Sequence, residues 1–288
     1  MVITKEQVKN LLPLRFPHQN KGDFGHVLVI GGSVGMSGSV CMTANSALRS
    51  GAGLVTVAVP SEIADVVSTK LTECMVLPLK SENGVLSKDA VYDISKFLPK
   101  VNVIAIGMGG RICNGLKAVL EFVLANFSRK VIIDADGLNI ISQNKQLLDI
   151  KRKCEIILTP HPKEMSRLCD VSVDKVQASR QETAIALAKK YNVCVLLKGE
   201  STIVTDGNEI YLNPTGNQGM ATAGAGDVLS GVISGLSAQG LEVFKSGICA
   251  AYIHGLSGDL GVLDKTCYSL TACDIIDYLP LAFKEILK

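Results

Sequence analysis

Six short runs rich in β-branched residues punctuate this chain, at residues 26–30, 54–59, 101–106, 131–133, 155–158 and 193–197. Their apolar content is nearly continuous rather than alternating, so both faces of each strand must be covered. Segments of helical length separate them, among them residues 39–50, 114–127 and 174–191. Strand, crossover helix and strand in repetition specify an α/β fold: a central, mostly parallel sheet between two helical layers, α/β/α. Residues 201–212 add a late β-hairpin turning at Asp206-Gly207, and the chain beyond Asp227 reads as mainly helical. No linker, low-complexity tract or repeat interrupts residues 1–288, which predicts one domain.

Composition removes several classes of function. A formal net charge of +2, without any block of Lys or Arg, provides no field for a nucleic-acid backbone. Residues 1–7 are polar where a signal peptide needs an apolar run, and no segment is apolar for long enough to cross a bilayer, so no membrane association and a cytoplasmic location are expected. The nine cysteines form no C-x-x-C pair, and they read as reduced residues acting as small core hydrophobes.

Open parallel sheets collect ligands at the carboxyl ends of their strands. Here those ends carry Gly31-Gly32-Ser33, Gly107-Met108-Gly109-Gly110, Asp134-Ala135-Asp136, Thr159-Pro160-His161-Pro162 and Lys198-Gly199, which should converge on one cleft. The small residues at 21–26 and 31–38 exceed what packing needs, which predicts a backbone that approaches a ligand.

Ala223-Gly224-Ala225-Gly226-Asp227 carries the most chemistry. Small residues let the backbone curl, a helix starting at about Asp227 offers unpaired N–H groups to an anion, and the aspartate brings a carboxylate beside them. That carboxylate is either a helix cap or a base that takes a proton from an attacking hydroxyl. Lys198-Gly199-Glu200-Ser201-Thr202 sets a cation and two hydroxyls at the sheet edge, suited to a polyphosphate or equally to a solvated turn. His161 stands between two prolines that keep the backbone extended until a helix starts at Pro162 or Lys163. Glu164 either complements the dipole of that helix or holds a metal through water, and Asp134 and Asp136 could cap a helix or face a cation or a sugar. The P-loop pattern is absent, and the turn at Gly107 lacks the third glycine of a dinucleotide fold.

Taken in order, Lys21-Gly22-Asp23-Phe24-Gly25-His26, Gly31-Gly32-Ser33, Met36-Ser37-Gly38, Ala47-Leu48-Arg49-Ser50-Gly51-Ala52-Gly53, Asp134-Ala135-Asp136-Gly137-Leu138-Asn139, Thr159-Pro160-His161-Pro162-Lys163-Glu164, Lys198-Gly199 and Ala223 to Asp227 resemble the ADP- or ATP-dependent NAD(P)H-hydrate dehydratases of the ribokinase-like superfamily. The resemblance runs from about Lys21 to about Asp259 and implies the stand-alone form, without the epimerase domain often fused ahead of it. It implies a repair reaction in which hydrated NADH or NADPH is restored at the expense of ADP or ATP, with Mg²⁺ on the polyphosphate. On this resemblance Asp227 activates the hydroxyl, and Gly224, Ala225 and Gly226 form the anion hole. Lys198, Gly199, Glu200, Ser201, Thr202 and Gly226 contact the nucleotide, while Ser39, Gly107, Gly109, His161 and Asp227 contact the hydrated dinucleotide. Direct metal ligands are not assigned. The resemblance also implies a separate epimerase as functional partner, a homo-oligomer such as a tetramer, and ADP over ATP. Two motifs depart from the family: Met36-Ser37-Gly38-Ser39 replaces Met-x-Gly-Ala, and Gly107-Met108-Gly109-Gly110-Arg111 replaces Gly-Pro-Gly-Leu-Gly. Two other readings use the same anion site: a ribokinase-like kinase of a vitamin-precursor alcohol, and a nucleotide-sensing module without turnover.

Overall fold

The computed structural model describes all residues from Met1 to Lys288. Its strands are β1 (His26–Ile30), β2 (Leu54–Pro60), β3 (Met75–Leu79), β4 (Ser81–Glu82), β5 (Val85–Leu86), β6 (Val103–Ile106), β7 (Lys130–Ile133), β8 (Glu155–Leu158), β9 (Cys194–Leu197), β10 (Ile203–Thr205) and β11 (Ile210–Leu212). Nine of them form one sheet in the order β11-β10-β9-β8-β7-β6-β1-β2-β3, while β4 and β5 pair separately as a small hairpin. From β3 across to β9 every pairing is parallel, and the late hairpin β10–β11 continues the sheet antiparallel to β9.

The helices are α1 (Lys5–Leu11), α2 (Ser37–Arg49), α3 (Ala64–Lys70), α4 (Ala90–Phe97), α5 (Asn114–Asn126), α6 (Asp136–Gln143), α7 (Pro162–Cys169), α8 (Val173–Ala178), α9 (Arg180–Tyr191), α10 (Ala225–Ala238), α11 (Val243–Asp264) and α12 (Ala272–Leu287). Alternate residues of each buried strand enter different cores. In β1, Val27 and Val29 join the core built with Val40 of α2, Val232 of α10, Ile253 of α11 and Ile275 of α12. Leu28 and Ile30 join the opposite core, with Leu120 of α5, Leu138 of α6, Met165 of α7 and Ala184 of α9. This two-sided burial explains the continuous apolar runs of the sequence.

Two elements differ from the sequence reading. Residues 174–191 form two helices, because Ser179 leaves the helical region (φ −140°, ψ 53°) and serves as the cap between α8 and α9. β3 was not anticipated: Pro78 interrupts its apolar run, and the strand is tolerated because it lies at the edge of the sheet. All nine cysteines are free, but only Cys41, Cys154, Cys194 and Cys249 are buried. Cys267 and Cys273 are exposed and cannot serve as core hydrophobes. No helix is long and apolar enough to cross a membrane.

The contact between α10 and α2 positions the site. A Cβ on Gly231 would lie 1.9 Å from Ser46 Oγ and 2.2 Å from the Thr43 carbonyl oxygen, and one on Gly235 would lie 2.4 Å from that of Ala47. Absence of these side chains lets the two helix backbones approach closely, carrying the first turns of α10 and α2 to the same end of the sheet.

Candidate active site

The turn ahead of α10 supplies the anion-binding groups. Gly224 has φ 92° and precedes the first helical residue, Ala225. A Cβ there would also meet Met42 Sδ at 2.5 Å, so the backbone angle and the space both demand glycine. The sequence reading started this helix at Asp227 and allowed that residue to cap it; Asp227 is instead the third helical residue, and no side chain caps α10. The amides of Gly224 and Gly226 have no partner, and that of Ala225 makes only a 3.4 Å bond to the Thr222 carbonyl. Their N–H groups stand at the positive end of a 14-residue helix, where an anion is stabilised.

Thr43 Oγ1 of α2 donates to the Asp227 backbone carbonyl at 3.1 Å, and Ser39 in the first turn of the same helix is near enough to the Asp227 carboxyl to pull its pKa down. Burial, with Asp134 adding to it, pushes the Asp227 carboxyl up to about 6, against the opposing pull of Ser39 and Lys198. The group is ionised at neutral pH yet close enough to neutrality to take a proton.

Lys198 closes β9, where its amide donates to the Pro160 carbonyl at 2.9 Å. Its Nζ lies 2.8 Å from Asp134 Oδ1 and 3.9 Å from Glu164 Oε2. Ser230 of α10 donates to the other Asp134 oxygen at 2.7 Å. Asp134 is therefore the partner of Lys198 and not a helix cap. Burial opposes the lysine charge, but Asp134 and Glu164 outweigh it and raise the ammonium above its ordinary value. A Cβ on Gly226 would lie 3.2 Å from Lys198 Nζ, so the cation borders the anion-binding turn.

His161 caps α7 with its ring. Nδ1 accepts from the amides of Lys163 (3.1 Å) and Glu164 (3.2 Å), and Glu164 Oε2 accepts from the His161 amide at 2.8 Å, a reciprocal capping box. Because Nδ1 is an acceptor, the neutral ring carries its proton on Nε2. Burial and the positive charge of Lys198 lower the His161 pKa, keeping the ring neutral at pH 7 and Nε2–H a donor. Burial raises the Glu164 carboxyl to about 7 despite Lys198.

These groups line a cleft of about 980 Å³ that gathers Asp134, His161, Glu164, residues 198–202 and residues 224–227. Gly199 and Glu200 are exposed, and with Ser201 they also border a second cavity of about 650 Å³ beside Arg180. Ser39, Gly107 and Gly109 are not among the residues lining the main cleft. Gly107 and Gly109 are buried; a Cβ on Gly107 would strike the Asp134 carbonyl at 2.1 Å, and one on Gly109 would lie 3.1 Å from Ser39 Oγ. Packing equally accounts for Gly25 and Gly31, whose Cβ atoms would meet the carbonyls of Ala238 at 2.2 Å and Met108 at 2.3 Å; Gly35 and Gly38 face open space.

Sequence reasoning missed two parts of the cleft. Residues 213–218 form one wall, ordered by Asp259, which accepts from the Gly216 amide and the Asn217 side chain at 2.8 and 2.9 Å. The dense turn chemistry of Asn213-Pro214-Thr215-Gly216-Asn217 was the available signal. His254 of α11 lines the cleft too, its Nε2 buried without a partner and its pKa driven down to about 4 by burial. A histidine within an apolar helix carried no signal of that position.

Comparison with known proteins matches residues 27–281 to a family described as NAD(P)H-hydrate dehydratase. The chain is 37% identical over 288 residues to the bifunctional NAD(P)H-hydrate repair enzyme of Moorella thermoacetica, an alignment covering 99% of this chain and 54% of that one. It is 36% identical over 261 residues to the ADP-dependent (S)-NAD(P)H-hydrate dehydratase of Neisseria meningitidis, covering 86% and 83% respectively. The chain spans about half the length of the bifunctional relatives it matches. Among solved structures, the ADP/ATP-dependent NAD(P)H-hydrate dehydratase of Bacillus subtilis, co-crystallised with ATP and Mg²⁺, superposes with a TM-score of 0.85 at 28% identity, covering 98% of this chain and 97% of that one.

Proposed function

This chain belongs to the NAD(P)H-hydrate dehydratase family, and on that basis we propose that it is an ADP-dependent lyase restoring NADH and NADPH from their (S)-hydrates. The observation that carries the reading is a half-buried carboxylate, Asp227, raised to about pKa 6 in the first turn of a helix whose leading N–H groups are unpaired and border the Lys198 ammonium.

Hydroxide is a poor leaving group and phosphate a good one. Asp227 takes the proton of the hydrate's hydroxyl as that oxygen attacks the terminal phosphorus of ADP. The bond from phosphorus to the bridging oxygen breaks, and AMP departs. The amides of Gly224, Ala225 and Gly226, with Lys198, stabilise charge on the transferred phosphoryl group. Loss of phosphate from one ring carbon and of a proton from its neighbour then rebuilds the double bond, so one ADP becomes AMP and inorganic phosphate per dinucleotide restored. His161 offers its Nε2–H to the dinucleotide, and Lys198 to Thr202 hold the nucleotide.

Mg²⁺ supplies charge neutralisation on the polyphosphate. No cluster of three or more acidic, histidine or cysteine side chains forms a protein cage for a metal. Asp134, Glu164 and Asp227 outnumber the single ammonium of Lys198, and two of these carboxyls have raised pKa values. Asp134 and Glu164 are the residues that would hold such a cation, and its charge would offset theirs and that of the polyphosphate. A cytoplasmic homo-oligomer working beside an NAD(P)H-hydrate epimerase completes the proposal.

The test incubates the protein with hydrated NADH, Mg²⁺ and either ADP or ATP and follows recovery of the reduced-nicotinamide absorbance. Recovery with ADP supports the dehydratase. No recovery with either nucleotide refutes it, and phosphorylation of an added vitamin-precursor alcohol favours the kinase reading.

A further inference from the structure

Arg111 stands at φ 57°, the left-handed region that a residue with a Cβ seldom occupies. Its amide is held there by Asp136 Oδ2 at 2.8 Å, and Asp136 Oδ1 in turn accepts from Asn139 at 3.2 Å. The guanidinium is exposed and contacts only the Val34 carbonyl, at 3.3 Å, and it forms no salt bridge. It therefore leans over residues 34–38, where Gly35 and Gly38 leave open space. The backbone held by Asp136 fixes where this exposed cation stands, and a guanidinium with no carboxylate partner is free to meet an anion.

This place connects to Asp227 by a short series of contacts. Gly109, two residues before Arg111, packs against Ser39, which acts on the Asp227 carboxyl, and Asp136 acts electrostatically on Asp227 as well. Lys198 and the nucleotide-binding residues lie at the end of β9, three strands from β6 in the sheet, a distance of about 14 Å at the usual strand spacing. Arg111 follows β6 and so stands apart from those residues along the carboxyl edge of the sheet. A dinucleotide whose ring hydroxyl reacts at Asp227 must extend its anionic part away from the phosphoryl donor.

We propose that Arg111 binds a phosphate of the hydrated dinucleotide and so sets the affinity for it. The inference rests on the dehydratase reading above. Two phosphates could meet the guanidinium: the diphosphate bridge common to both substrates, or the ribose phosphate that only the NADPH form carries. Glycine is the natural replacement because it relaxes the positive φ while removing the cation.

Arg111→Gly is compared with the wild type in steady-state kinetics on hydrated NADH and hydrated NADPH, and in fluorescence titration with NADPH. Loss of a charge-assisted bond raises KM for the dinucleotide roughly tenfold, with kcat and the KM for ADP nearly unchanged, and weakens NADPH binding to a similar degree. A rise with both substrates assigns the diphosphate; a rise with hydrated NADPH alone assigns the ribose phosphate. Unchanged KM for both and unchanged NADPH binding overturn the inference while leaving the dehydratase reading intact. A wild-type protein that neither turns over a hydrate nor binds NADPH overturns both.

Discussion

Replacing Asp227 by Asn should make the protein more stable as it makes it inactive. Asn keeps the shape of the side chain, but it carries no charge into the desolvated first turn of α10. The cost of that charge follows from the carboxyl pKa, raised from 3.8 to about 6. A raised carboxyl pKa means that the folded state binds more protons than the unfolded chain between those values, so Asp227 destabilises the fold above pH 6 and the penalty fades as pH falls toward 3.8. Two pKa units correspond to about 3 kcal/mol as an upper limit at pH 8, and to roughly 0.5 kcal/mol at pH 4. For a chain of this size Tm should rise by about 5 °C at pH 8, with almost no change at pH 4. Thermal unfolding of both proteins at the two pH values measures this directly. Turnover should fall by about 10² to 10⁴ while nucleotide affinity changes little, since general-base assistance is lost and the phosphate-binding amides remain. A variant of unchanged or lower Tm at pH 8, or a gain independent of pH, would refute the burial argument; near-normal turnover would remove Asp227 from proton transfer.

Three further substitutions probe the surroundings. Lys198→Met leaves Asp134, 2% exposed, without its cation, and should destabilise the fold by about 3–5 kcal/mol while raising the KM for ADP, measured by denaturant unfolding and steady-state kinetics. His254, lowered to about 4, binds fewer protons in the folded state than in the unfolded chain, so it removes stability as pH falls from 6.5 toward 4. His254→Phe should therefore lose about 2 kcal/mol less than the wild type between pH 7 and pH 5, and equal losses in chemical denaturation would contradict the burial of a neutral ring. Gly231→Val forces α10 away from Ser46 and Thr43, and should cost more than about 3 kcal/mol in unfolding experiments and lower kcat by displacing Asp227.

The sheet was legible because its strands are buried on both faces, and a run such as residues 26–30 has few other places to go. Edge strand β3 escaped notice for the opposite reason: partial exposure and Pro78 erase the apolar signature. Within the site, Asp227 and the glycines before it were visible as a motif, yet the helix boundary was misplaced by two residues because Ala225 and Gly226 read as turn while they already belong to α10. The Asp134–Lys198 pair spans 64 positions and joins the ends of β7 and β9 across the intervening β8, so sequence reveals its members but not their bond. His161 was recognisable from its prolines; the capping box that fixes its tautomer required coordinates. His254 was invisible, since only tertiary packing brings the middle of α11 under the cleft.

On the proposed mechanism, the Asp227 site transfers a phosphoryl group in order to eliminate it. The most direct measurement is a single stoichiometry: AMP, inorganic phosphate and reduced nicotinamide quantified together as hydrated NADH is consumed with ADP and Mg²⁺. The three products should appear in equal amounts, and no phosphorylated dinucleotide should persist. Nucleotide consumed without restoration of the reduced ring, or a stable phosphorylated product, would contradict that mechanism.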